Sequence, residues 1–337
     1  MFSDLHVDFD YTPGKSNTCG NPLCCRSDSG NPQSPDQAAG LWGDFKCDLS
    51  PKTMTNLLSF IKTQIKPDLV FWTGDSIPHN VESVTYEETV SNMQRVTKEV
   101  ADGLKGLPLY AAFGNHDTYP ADIFMGHYAD ENAAFTEWAK DWDTFSFLKD
   151  PEEMKKFNDF GYYSAPLLFA NGTQVGKNLT KVISINSNFC YQGNFELAAQ
   201  FYDPGNMLSW LEDQLRELEK MGGQAIIISH VPNIDECARQ YGLRYHALMD
   251  RFQTVVRFGV QGHVHKEQWN VQRDVLNKQP IGMNFLVGSM TTFNAFNTGK
   301  LPSFNVATLD AETLIPIEYE TWAFNLDYAN LHNIPKW

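Results

Sequence analysis

The polar stretch Gly114-Asn115-His116-Asp117 constrains this chain most, because it stands directly after an apolar run. That run, residues 109–113, has the length and composition of a buried strand. Gly114 lets the backbone turn sharply where the strand ends, at the edge where an open α/β sheet forms its ligand crevice. There Asn115 can offer an oxygen to a metal, and His116 can bind a metal or transfer a proton. Taken alone, the four residues could also form an ordinary turn.

Four more clusters of metal-ligating residues lie along the chain, most of them after an apolar run. Asp4 and His6 are two residues apart, so an extended backbone would point both side chains to one side. Asp75 has two carboxylate oxygens and is the best candidate to bridge two cations. Together with Asn115, the ligands that these clusters offer are Asp4, His6, Asp75, His230, His263 and His265.

Each cluster also has a simpler interpretation. The cluster of Asp4 and His6 could be a surface turn. His230, at the end of an apolar run, could be a buried histidine with its hydrogen bonds satisfied. His79, four residues after Asp75, would be an ordinary loop histidine on its spacing alone. The order of all five clusters along the chain nevertheless favours one shared site.

Composition limits the class of protein. With 337 residues and 42% hydrophobic residues, the chain can bury a large core. We see no internal repeat and no linker, so we expect a single domain over residues 1–337. The apolar runs are short, which predicts no transmembrane helix. The net charge of -15 argues against a nucleic-acid polymer as the main partner, since no basic stripe is present.

The six cysteines indicate the compartment. The four near the start could form a zinc site, but their spacing is not that of two C-x-x-C pairs. An even number with none left over favours three disulfides and an oxidising compartment. Two glycosylation sequons, at Asn171 and Asn178, agree with this, and we expect a secreted or lysosomal protein. The cysteines are Cys19, Cys24, Cys25, Cys47, Cys190 and Cys237.

Several segments predict regular structure. Ser50 and Pro51 are typical of a helix start, and residues 84–104 predict another helix. Aromatic residues at helical spacing over residues 132–148 indicate a core-facing helix more than a lipid-binding face. Residues 284–288 and 305–309 predict strands that complete a second sheet.

The series D-x-H, GD, GNHD, an isolated histidine and GHVH resembles the calcineurin-like metallophosphoesterase superfamily. The resemblance implies a four-layer α/β/β/α sandwich and a two-metal site. Imidazole, carboxylate and amide donors suit zinc, iron or manganese better than calcium, and we expect two divalent ions, zinc first. One cation would be held by Asp4, His6, Asp75 and His265, and the other by Asp75, Asn115, His230 and His263.

The sequence around residues 19–26, 42–49, 71–79, 188–190 and 334–337 is similar to the acid sphingomyelinase family. This resemblance implies the disulfides Cys19–Cys24, Cys25–Cys47 and Cys190–Cys237, and it gives His79 a functional role. The chain departs from that family at Asp117, where glutamate is usual, and in segments 118–130 and 291–302.

The beginning of the sequence conflicts with a secreted protein. No signal peptide precedes Asp4, and the three residues before it are too few for a complete strand. The saposin-like and C-terminal helical domains of the sphingomyelinase family are also not found in it. We therefore expect a truncated chain, an internal fragment or a late predicted start.

The expected chemistry is phosphodiester hydrolysis by water activated between two cations. His116 would protonate the leaving oxygen with help from His79, and Asp117 would orient His116. The expected substrate is sphingomyelin, cleaved to ceramide and phosphocholine. The alternatives are a sphingomyelinase-like enzyme acting on nucleotides or other soluble phosphodiesters, and a non-catalytic binding protein of the same fold. We expect a monomer that contacts a membrane only peripherally.

Overall fold

The computed structural model describes residues 1–125, 150–199, 202–233, 236–294 and 300–337. The helix predicted over residues 132–148 lies outside these ranges. Within them, no helix is long enough and apolar enough to cross a membrane.

A mixed sheet of six strands is the larger β-layer in the described part of the chain. Its strands are β3 Tyr163–Pro166, β4 Thr180–Ser184, β5 Gln224–Ile228, β6 Val256–Gln261, β7 Gln268–Arg273 and β8 Pro280–Leu286. Their order in the sheet is β3-β4-β5-β6-β8-β7, with β4, β5, β6 and β8 parallel and an antiparallel strand at each edge.

The second β-layer is built from shorter pieces. Strands β1 (Val70–Trp72) and β2 (Leu109–Ala111) are parallel, and Phe2 bridges to Trp72 in the same direction. Strands β9 (Ser303–Leu309) and β10 (Pro316–Ala323) form an antiparallel pair, joined to the chain start where the Asn305 N–H donates to the Met1 carbonyl.

Helices cover both β-layers. The described α-helices are α1 Pro51–Phe60, α2 Tyr86–Gly103, α3 Pro151–Phe160, α4 Met207–Lys220, α5 Arg239–Arg251 and α6 Leu326–His332. Helices α1 and α2 contact each other, whereas α4 packs on β5 and α5 packs on β8. This arrangement is the expected four-layer α/β/β/α sandwich, with its apolar core between the layers.

Local chemistry explains the helix ends. Ser50 accepts a hydrogen bond from the Thr53 N–H, and Pro51 occupies the first turn of α1, as predicted. Thr85 and Glu88 form a reciprocal capping box at the start of α2. One prediction was wrong in its placement: residues 284–286 lie in β8, which pairs with β6 in the six-stranded sheet, while residues 305–309 lie in the other layer.

The structure pairs the cysteines as Cys19–Cys24, Cys25–Cys47 and Cys190–Cys237. No cysteine remains free for a zinc site. The first two disulfides hold the irregular segment before α1, and the third joins the loops that follow β4 and β5. Asn171 and Asn178 are both exposed.

Candidate metal centre

Parallel strands bring the predicted ligands to one edge of the two β-layers. β1 leads into Gly74-Asp75, β2 leads into Gly114-Asn115, and β5 leads into His230. The carboxyl ends of parallel strands meet at the same edge of a sheet, where such folds bind ligands. The polar residues that follow the strands therefore converge, although they are far apart in sequence.

Two glycines allow the loops after β1 and β2 to touch. A Cβ atom on Gly74 would lie 2.6 Å from the Gly114 nitrogen, and a Cβ on Gly114 would lie 2.1 Å from Asp75 Oδ1. Any larger residue would push the loops apart. The contact is completed by the His116 N–H, which donates to Asp75 Oδ1 at 2.9 Å.

Asp75 stands between two groups of histidine nitrogens. Its Oδ2 atom lies 3.4 Å from His6 Nε2 and 3.1 Å from His230 Nε2. The ligand atoms of Asp4, His6 and Asp75 lie within 4.8 Å of one another, and so do those of Asp75, His230 and His263. The structure thus brings the two predicted ligand sets together with Asp75 common to both.

The remaining predicted ligands complete the two groups. His265 Nε2 lies 3.2 Å from His6 Nε2 and 3.3 Å from Asp4 Oδ1. On the other side, His263 Nδ1 lies 2.9 Å from Asn115 Oδ1. The Asn115 amide group donates to Asp122 Oδ1 at 2.7 Å, which turns its oxygen towards the histidine.

Backbone carbonyls fix the orientation of two histidine rings. His6 Nδ1 lies 2.8 Å from the Ile77 carbonyl oxygen, and His230 Nδ1 lies 2.6 Å from that of Thr73. A carbonyl can only accept, so each Nδ1 carries a proton and each ring turns its Nε2 atom into the cluster. This is the orientation that metal-binding histidines adopt.

His230 provides the test of whether a cation fits. Its Nε2 atom is buried and has no hydrogen-bond partner among the described residues, yet it faces the Asp75 carboxylate. Burial opposes a charge on this ring, but Asp75 and then Asp4 outweigh it and raise the pKa of His230 to about 9. The carboxylates thus favour positive charge here, and the mixed donors fit a divalent transition metal.

The pKa shifts of His6 and Asp75 also agree with a metal site. Burial, and then the neighbouring His79 ring, hold the pKa of His6 well below its usual value, so the ring is neutral. Burial alone would raise the pKa of Asp75, but His230 and His116 outweigh it and the pKa lies well below its usual value. A neutral imidazole and an ionised carboxylate are the forms that bind metals.

The backbone at the site is unusual. Asp4 and His6 have φ values of 52° and 41°, so the backbone there is left-handed, and the expected extended backbone was wrong. The φ values of Asp75, His263 and His265 are 56°, 72° and 53°. Non-glycine residues adopt this region only when the surrounding structure holds them there, which is typical of functional sites.

His116 and His79 border the metal-ligand cluster. The His116 ring lies 4.9 Å from the His6 ring and 5.1 Å from the His79 ring, measured between centroids. Burial lowers the pKa of His116, and its Nδ1 atom is buried with no hydrogen-bond partner in the described part of the chain. The ring is therefore placed beside the site, and its Nδ1 atom is not paired with any of the described side chains.

The contacts of Asp117 differ from the predicted ones. Its carboxylate accepts the backbone N–H groups of Asp75, Ser76 and Gly114 at 3.0, 2.8 and 3.0 Å. None of the hydrogen bonds of the described residues joins it to the His116 ring. Burial, followed by the nearby Asp75 charge, raises the pKa of Asp117 to about 6. Its position is that of a brace between the loops after β1 and β2.

Some of the contacts made by carboxylates at the site were not predicted. Asp48 binds His79, and Asp122 orients Asn115. Asp48 lies 31 residues before its partner, so no spacing signal pointed to it. Asp122 follows GNHD closely and could have been found as a nearby carboxylate.

Comparison with known proteins agrees with this geometry. The sequence model of the calcineurin-like phosphoesterase family matches residues 1–267. The chain is 32% identical over 349 residues to sphingomyelin phosphodiesterase B of Dictyostelium discoideum, covering 99% of this chain and 52% of the relative. It is 31% identical over 348 residues to the Homo sapiens sphingomyelin phosphodiesterase, covering 100% of this chain and 52% of the relative.

A third relative is more fully covered. The Homo sapiens acid sphingomyelinase-like phosphodiesterase 3b is 28% identical over 351 residues, which is 99% of this chain and 72% of the relative. The chain spans about half the length of the two sphingomyelin phosphodiesterases. The family match covers most of the chain and includes every predicted ligand. The chain therefore belongs to the calcineurin-like phosphoesterase family.

Proposed function

We propose that the protein is a two-metal phosphodiesterase that hydrolyses sphingomyelin to ceramide and phosphocholine. The observation that carries the proposal is the position of Asp75 Oδ2, 3.4 Å from His6 Nε2 and 3.1 Å from His230 Nε2, which suits a carboxylate shared by two cations. Sphingomyelin is proposed as the substrate because the relatives similar to this chain are named sphingomyelin phosphodiesterases. The ligands are the two sets defined above, and zinc is the proposed ion.

Two bound cations would supply an activated water and would neutralise charge on the phosphoryl oxygens. The protein would supply the proton for the leaving group. His116 is held next to the cluster by its backbone hydrogen bond to Asp75, and among the described residues no carboxylate pairs with its Nδ1 atom. It can therefore protonate the ceramide oxygen as the P–O bond breaks.

His79 has a second, electrostatic role in the proposal. Burial opposes a charge on this ring, but Asp48 outweighs it and raises the pKa of His79. Its Nδ1 faces Asp48, so Nε2 remains to donate towards substrate oxygens. Asp117 holds the loops that carry Asp75 and Asn115, which makes it a positioning residue.

We further propose one catalytic domain over residues 1–337, a monomer, and a secreted or lysosomal location with glycans on Asn171 and Asn178. Three disulfides support the oxidising compartment. Membrane contact would be peripheral, through the lipid substrate.

The test is a paired turnover assay with zinc at acid pH. Sphingomyelin in detergent micelles is set against a nucleotide phosphodiester, with metal-stripped protein as the blank. We expect phosphocholine release to dominate. Faster nucleotide hydrolysis would support the alternative substrate. We retain this alternative because the chain covers 72% of the sphingomyelinase-like relative. No hydrolysis of either substrate by protein with both metals bound would favour a non-catalytic binding protein.

A further inference from the structure

The two ring nitrogens of His263 face different partners. Nδ1 lies 2.9 Å from Asn115 Oδ1, inside the metal-ligand cluster. Nε2 lies 3.1 Å from a carboxylate oxygen of Glu236, on the outer side. The His263 N–H also donates to both carboxylate oxygens of Asp4, at 3.1 and 3.2 Å, which fixes the backbone beneath the ring.

We propose that Glu236 is a positioning residue that sets the tautomer of His263 and directs its Nδ1 lone pair at the second cation. An ionised carboxylate only accepts hydrogen bonds, so a proton on Nε2 satisfies Glu236 and leaves Nδ1 free to bind. A proton on Nδ1 could be donated to Asn115 Oδ1 when no cation is bound, but it would block the cation and leave Nε2 and the Glu236 carboxylate with lone pairs facing each other. The inference rests on the proposed assignment of His263 as a metal ligand.

This arrangement distinguishes His263 from the two deeper histidines. His6 and His230 are held by backbone carbonyls, and both are fully buried. His263 is partly exposed, with 13% of its side chain accessible, and its partner is a side-chain carboxylate that is 40% accessible. A carboxylate partner raises the basicity of a bound histidine more than a carbonyl does. The stronger basicity compensates for the greater solvent exposure of His263 at the rim of the site.

The chain holds Glu236 in place through its neighbours. Cys237 is bonded to Cys190, and the Gln192 N–H donates to the Glu236 carbonyl oxygen at 3.3 Å. Tyr191, next to the same disulfide, packs edge-on against the His263 ring at a centroid distance of 5.0 Å. One cross-linked pair of loops thus supplies both the carboxylate and an aromatic wall for the ring.

The first measurement is the tautomer of His263 in protein loaded with zinc, which occupies Nδ1 in place of the hydrogen bond to Asn115, read from long-range ¹H–¹⁵N NMR correlations. Wild-type protein is expected to carry the proton on Nε2. Glu236→Ala should give a mixture of tautomers, and Glu236→Gln, which keeps an accepting oxygen, should stay closer to wild type. Glu196→Ala is the matched control, because Glu196 is also half-buried and follows the same disulfide-linked loop. It should leave the His263 signals unchanged.

The second measurement is calorimetric titration of the apoprotein with zinc. Glu236→Ala should weaken one of the two binding events by about 10- to 100-fold, the usual effect of losing the partner of a metal-bound histidine. Wild-type zinc affinities together with an unchanged tautomer in Glu236→Ala would overturn the inference. Full affinity for two zinc ions in His263→Ala would instead overturn the ligand assignment beneath it.

Discussion

The Asp48 carboxylate holds His79 through two atoms. Its Oδ1 lies 2.7 Å from His79 Nδ1, and its Oδ2 accepts the His79 backbone N–H at 2.7 Å. The Thr291 hydroxyl donates to the same Oδ1 at 2.9 Å. Asp48 is fully buried, and although burial opposes its charge, the His79 ring holds the pKa of this carboxyl below its usual value.

We therefore expect Asp48→Asn to impair catalysis without unfolding the protein. The neutral amide can still accept one hydrogen bond, but it loses the charge that favours protonated His79. We expect kcat to fall by about 10- to 100-fold, a part of what a positioned acid-base group contributes. Steady-state kinetics on sphingomyelin micelles would check this. Asp68→Asn, at an exposed position before β1, is the control, and a kcat for Asp48→Asn equal to that of the control would contradict the prediction.

His116→Ala should separate metal binding from turnover. The ring lies outside the proposed ligand sets, and only the backbone N–H of His116 contacts Asp75. We expect both metals to remain bound, as measured by elemental analysis of the purified protein. Turnover should fall by about 10²–10⁴-fold through loss of the proton donor. Retained turnover by metal-loaded His116→Ala would rule out this role.

Replacement of Asp117 should reduce the stability of the fold, whereas replacement of His116 should reduce turnover. Its carboxylate satisfies three buried backbone N–H groups, so Asp117→Ala would leave each of them without its acceptor. At about 1–3 kcal/mol for an unsatisfied buried group, we expect a loss of at least about 3 kcal/mol in the free energy of unfolding, measured with urea. Unchanged stability with reduced turnover would instead support the predicted role of orienting His116.

Most of the site could be predicted because its signal is local. Every ligand from Asp75 onwards follows an apolar run or stands near a glycine, and sheet topology brings strand ends together whatever their separation in sequence. The backbone conformation of Asp4 and His6 could not be predicted from the sequence. Their left-handed backbone depends on hydrogen bonds to the loop after β1, such as that from the Asp4 N–H to the Gly74 carbonyl.

The supporting carboxylates could not be predicted for a related reason. Asp48 and Glu236 contact their histidines across 31 and 27 residues, and no spacing in the sequence marks either one as the partner of a histidine. A single aspartate or glutamate in a loop is most often a solvated surface residue. The pairing of β8 with β6 was missed because an apolar run indicates a strand but does not indicate its neighbour.

The disulfides with the longest and the shortest sequence separation should differ in their effect on stability. Cys190–Cys237 closes a separation of 47 residues, whereas Cys19–Cys24 closes only 5. On the chain-entropy relation, removal should cost about 4 kcal/mol for the first and about 2 kcal/mol for the second.

Urea unfolding of the two paired Cys→Ala variants would measure both values, with Cys19→Ala/Cys24→Ala as the matched control. We expect the larger loss for Cys190→Ala/Cys237→Ala, because its cross-link restricts a longer stretch of the unfolded chain. Zinc affinity should fall only in that variant, since its loops carry Glu236 and Tyr191 to the His263 ring. Equal zinc affinities in the two variants would show that the fold holds these loops without the cross-link.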